Sequence, residues 1–100
     1  MIKIKKKTKV ATSVDVAILN ELIELSNEGS KEVEVYGSFF VSKMGLAKIT
    51  VRMSLRRMRE NGFISQKIVK DSYPVNLRRI TVKMDKILEK LEVVEEVQNG

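Results

Sequence analysis

Along the first half of the chain, apolar residues recur at two different periods. From residue 13 they return every three or four positions, as Val14, Ala17, Ile18, Leu22, Ile23 and Leu25, the spacing that lines one face of an α-helix. Ser13 is expected to cap this helix, Asp15 adds negative charge to the first turn, and Asn27 to Gly29 supply a stop. The period shortens to two in "KEVEVYG", which predicts a short strand with Val33 and Val35 toward a core and Gly37 at its end. A second helix is expected over "FFVSKMG", capped by Ser38 and packed through Phe39, Phe40 and Met44, with Gly45 as the turn that follows.

The helical period returns over residues 47–61. At about 100° per residue, Val51, Leu55 and Met58 fall within roughly 60° of one another with Ala47 and Ser54 beside them, and this is the predicted buried stripe. The opposite face collects Ile49, Met53 and Arg56, flanked by Arg52 and Arg57, with Lys48 in the first turn. Asn61 and Gly62 close the helix, and Phe63 and Ile64 return apolar bulk to the core. "FISQKIVK" and "NLRRITVKM" then alternate as strands around the turn "DSYPVN", so residues 63–83 read as a hairpin. Asp85 is expected to cap a last helix running to the C-terminus, with Ile87, Leu88, Leu91, Val94 and Val97 as its stripe. The N-terminal "MIKIKKKTKV" alternates Ile and Lys at first and then loses its pattern in "KKKTK", so it reads as either a short edge strand or a basic arm, and the arm is the expectation. The elements add up to an α+β chain: an arm over 1–12, one domain over 13–83, and a C-terminal helix over 84–100.

Charge is segregated along this pattern. Residues 1–10 carry five Lys and no acid, residues 11–42 carry one Lys against six acids, residues 43–83 carry eleven Lys or Arg against two acids, and residues 84–100 carry two Lys against five acids. A strongly basic middle between acidic segments suits a surface laid on a polyanion. Cysteine and histidine are absent, which removes disulfides, thiol nucleophiles, most zinc sites and the usual proton shuttle. With no Gly-rich phosphate loop and no carboxylate cluster in the basic region, no enzyme activity, metal or cofactor is expected, and no small-molecule pocket is legible. No apolar run reaches the roughly 18 residues needed to cross a bilayer, and the N-terminus lacks the apolar block of a secretory signal. A cytoplasmic, nucleoid-associated protein is the expectation.

The order helix, strand, helix, helix, two-stranded wing, helix resembles the winged helix-turn-helix fold. The resemblance lies in "FVSKMG", then "LAKITVRMSLRRMREN", then "GFI", and covers residues 13 to about 83. The chain looks like small regulators of archaea, their plasmids and their viruses, or a trimmed relative of the MarR and PadR repressors. It departs at Ala47, where such proteins often place a Ser or Thr that caps the recognition helix and touches a phosphate. The resemblance implies a sequence-specific regulator of double-stranded DNA, a repressor, with the 47–61 helix in the major groove. Arg52 and Arg56 would reach base edges, Ile49 and Met53 would pack on thymine methyls, and Lys48, Thr50 and Arg57 would meet phosphates. The wing would add Lys67, Lys70, Tyr73 and Arg78. The stripe of the last helix suggests a homodimer, which would bind a palindromic site, or else packing on the first helix within the monomer. An alternative is a winged-helix module that binds RNA or another protein.

Overall fold

The structure is a computed structural model that describes residues 2–4, 11–26, 32–69, 77–91 and 93–95. Its elements follow in the order β1 (Ile2–Ile4), α1 (Ser13–Ser26), β2 (Glu32–Tyr36), α2 (Gly37–Met44), α3 (Lys48–Glu60), β3 (Ile64–Ile68), β4 (Leu77–Val82), α4 (Met84–Lys90) and β5 (Val93–Glu95). Among the described residues these form an α+β arrangement of four helices, a three-stranded antiparallel sheet ordered β2-β4-β3, and a two-stranded sheet of β1 and β5.

The residue that caps α1 is Thr12, one position before the Ser13 that the sequence suggests. Thr12 Oγ1 accepts the Asp15 N–H at 3.1 Å, Asp15 Oδ2 accepts the Thr12 N–H at 3.1 Å, and Val16 donates to the Thr12 carbonyl at 3.0 Å. Two otherwise unpaired amides are thereby satisfied reciprocally, as in a capping box. Ile18, Leu19 and Leu22 carry the buried face of α1, whereas Ala17 and Leu25 face solvent. Ser38 is likewise no cap: Tyr36 precedes the first turn of α2 with no side-chain bond to it. Asp85 lies inside the first turn of α4, which begins after Lys83.

Alternation decides the main sheet. Val33 pairs with Ile80 and Ile64 with Val82 in register, so these apolar residues share the face that packs on the helices, while Glu32, Glu34, Ser65 and Lys67 take the outer face. Phe40 of α2, Val51, Leu55 and Met58 of α3, Phe63 and Ile87 complete one core with α1.

Two expectations for the chain ends are corrected. Residues 2–4 are not part of an arm: β1 pairs antiparallel with β5, Ile2 opposite Glu95 and Ile4 opposite Val93. Ile4 is buried, and Asn20 of α1 holds its backbone at both groups, accepting its N–H at 2.8 Å and donating to its carbonyl at 3.2 Å. An amide side chain here takes the part of a neighbouring strand. The predicted long last helix stops at Lys90, because Leu91 turns to extended backbone (φ −122°, ψ 152°) and the β-branched Val93 and Val94 continue as strand. Ile87 and Leu91 are buried in this molecule's own core while Leu88 is exposed, so the stripe that suggested a dimer is not one helical face. Val97 and Lys5 to Lys9 lie outside the described residues.

Candidate nucleic-acid interface

Helix α3 is positioned at both ends by backbone rather than by side-chain caps. Gly45 ends α2 in the left-handed conformation (φ 65°), its N–H on the Val41 carbonyl at 3.1 Å, and two residues later Ala47 stands before the first turn of α3 without a capping bond. At the far end Gly62 (φ 80°) donates to the Arg59 carbonyl at 3.1 Å and Phe63 donates to the Met58 carbonyl at 2.9 Å. This pair of bonds is a Schellman motif, and its apolar contact joins Met58 to Phe63, both fully buried.

Between these ends, Val51, Ser54, Leu55 and Met58 are buried, as the sequence stripe requires. Lys48, Ile49, Arg52, Met53, Arg56 and Arg59 are exposed, and Thr50 is half-buried. Ile49 is 57% and Met53 42% accessible to solvent and they stand one helical turn apart on this face; Ile68 on β3 and Leu88 on α4 are exposed as well. Arg52, Arg56 and Arg59 recur at i, i+4 and i+7 and so form one row along this face. Arg59 was not among the sequence candidates, although that spacing carries the signal. Arg56 Nε lies 3.1 Å from Glu60 Oε1 in an exposed pair that water and salt screen. Arg52 has no ion-pair partner among the described residues.

Arg57 is engaged differently from its neighbours. Its Nε and Nη2 donate to Asp15 Oδ2 and Oδ1 at 3.2 and 2.9 Å, and the Ser54 hydroxyl donates to the same Oδ1. With the Thr12 amide, both carboxylate oxygens of Asp15 each accept two bonds, which fills the lone pairs of a carboxylate. Asp15 is 1% exposed and Ser54 0%. Burial alone would push the Asp15 carboxyl up, but the bonds from Arg57, Ser54 and the Thr12 amide, with the charge of Arg57, hold it below its ordinary value of 3.8. The ionised pair ties the start of α1 to the middle of α3. Sequence reasoning had placed Arg57 on a phosphate alone; the serine in the middle of an apolar stripe was the available sign that a polar partner lay opposite.

On the hairpin, Lys67 is exposed beside Arg79 across the β3–β4 ladder. Arg79 donates through Nε and Nη2 to Glu34 Oε1 at 3.1 and 2.8 Å, and Arg78 Nη1 donates to Gln66 Oε1 at 3.3 Å. Arg78 is therefore half-buried against its own sheet. Lys70 and Tyr73 lie outside the described residues. Lys43 of α2 pairs with Glu21 of α1 at 2.8 Å, and the carboxylate holds its ammonium above the ordinary range. The surface brought together on α3 is thus a row of arginines beside two exposed apolar side chains, one helix wide.

No helix among the described residues is long and apolar enough to cross a membrane. No family model, no curated protein and no solved structure matches this chain.

Proposed function

We propose that this protein is a winged helix-turn-helix regulator that binds double-stranded DNA in a sequence-specific way, with α3 in the major groove and the β3–β4 hairpin as its wing. The observation that carries the reading is the outward face of α3, where Ile49 and Met53 stand exposed among Lys48, Arg52, Arg56 and Arg59. What sets this face apart from the lone exposed Leu88 of α4 is two large apolar side chains one turn apart within a row of cations. A major groove has a use for both: arginine matches guanine edges bidentately and apolar side chains cover thymine methyls. The groove is about as wide as one helix with its side chains. Element order supports the same reading, since α2, a three-residue turn and α3 form a helix-turn-helix pair, and β2 closes the sheet beside a hairpin that follows α3 directly.

In this reading the regulator acts as a repressor by occupying promoter DNA, and one copy covers one half-site. A two-copy complex would announce itself as an inverted repeat in the bound sequences. Filter binding against duplex DNA, duplex RNA and single strands over a range of salt tests the proposal. Preference for duplex DNA, with log affinity falling linearly in log salt, is expected. Tighter binding to RNA, or no binding to any nucleic acid, would contradict it and favour a module for RNA or for another protein.

A further inference from the structure

Asp15 is the one buried charged side chain among the described residues, and the groove reading gives it no part. Its partner does face that groove. A guanidinium has five N–H donors in a rigid plane, and Arg57 directs its Nε and Nη2 edge at Asp15. The Nη1 edge is left for another acceptor, with the side chain still 40% exposed and bonded to nothing else among the described residues. On α3, Arg57 lies about 40° around the helix from Met53 and about 20° from Thr50. It therefore stands at the border of the exposed face, where a helix in the major groove meets the sugar-phosphate backbone.

We propose that Asp15 is a positioning residue that fixes Arg57 as a preorganised phosphate clamp at the edge of the α3 interface. The inference rests on the duplex-binding reading and deepens it. Arginine normally loses side-chain freedom when it binds an anion. Here the buried carboxylate has already fixed the plane, and phosphate receives the remaining donors. Asp15 brings negative charge close to a polyanion, a disadvantage unless its hold on Arg57 outweighs the repulsion. That opposition yields a test of sign.

Asp15→Asn, Arg57→Gln and Arg52→Ala proteins are compared with wild type for binding to a random-sequence duplex and to a selected one. Salt is varied, and each measurement is made at a temperature where circular dichroism shows the variant folded. Asp15→Asn removes one negative charge, so electrostatics alone would tighten binding; the clamp requires it to weaken severalfold on both duplexes. Arg57→Gln is expected to weaken both duplexes alike and lower the salt slope by about 0.9, one phosphate contact. It serves as the deciding variant if Asp15→Asn does not fold. A folded Asp15→Asn that binds as well as wild type or better overturns the proposal, and so does an unchanged salt slope in Arg57→Gln. If wild type binds the duplex and Arg52→Ala impairs it while Arg57→Gln does not, the groove reading stands and the clamp alone falls. If wild type binds no duplex, both fall.

Discussion

The carboxylate of Asp15 accepts four hydrogen bonds from three residues, and one of them comes from a serine set in an apolar stripe. Ser54→Ala keeps the packing volume but removes a buried donor, leaving Oδ1 one bond short. A loss of about 1–3 kcal/mol in urea unfolding is expected; no loss would mean that the Ser54 bond carries no weight. Acid provides a second check. The Asp15 pKa is lower in the folded chain than in the unfolded one, so the unfolded chain takes up this proton more readily. The stabilisation is complete above the ordinary aspartate value and disappears as pH falls through the lower folded value. Arg57→Gln removes the main cause of the lowering. The gap in urea midpoint between wild type and this variant is expected to be full at pH 7 and to narrow below about pH 4. An equal gap at pH 3 and pH 7 would contradict the assignment. Of this network only Ser54, a hydroxyl within an apolar stripe, gave a sign in the sequence: Asp15 suits any first helical turn and Arg57 suits any basic face, and only the packing of α1 on α3 makes them partners.

At the scale of elements, local rules went furthest where side-chain period and backbone punctuation agreed. The α3 stripe was legible because Val51, Leu55 and Met58 keep helical spacing up to a glycine that the turn requires. Gly62 at φ 80° is the point where a side chain would strain the backbone. Gly62→Ala is expected to cost about 1–2 kcal/mol, measured as a lowered midpoint in thermal unfolding; an unchanged midpoint would show that the turn relaxes. The caps were misplaced because Thr12, Ser13 and Ser38 all have a usable hydroxyl, and pairing geometry selects among them. "LEVVEE" misled for a related reason: its apolar residues fit a helical stripe, but strand pairing with residues near the N-terminus is a long-range choice that no local window contains.

Across the whole molecule, residues 2–4 and 93–95 meet. Asn20 bonds the backbone of Ile4 on one side while β5 pairs with β1 on the other, so residues 2–4 belong to the folded unit. Asn20→Ala is expected to lower stability by about 1–3 kcal/mol, read in urea, since two backbone groups lose their partner; full wild-type stability would mean that β1 contributes nothing. The same closure removes the long C-terminal stripe on which a dimer had seemed to depend. Among the described residues, the face of α3 still combines a row of arginines with two exposed apolar side chains one turn apart. The most direct test is a selection of bound fragments from a random duplex pool, run in parallel with wild type and Arg52→Ala. The account predicts one enriched motif for wild type, with preference relaxed at a single base pair in the variant, at a cost of about 1–3 kcal/mol on the wild-type site. No enrichment by wild type, or an identical motif and affinity from both proteins, would contradict it.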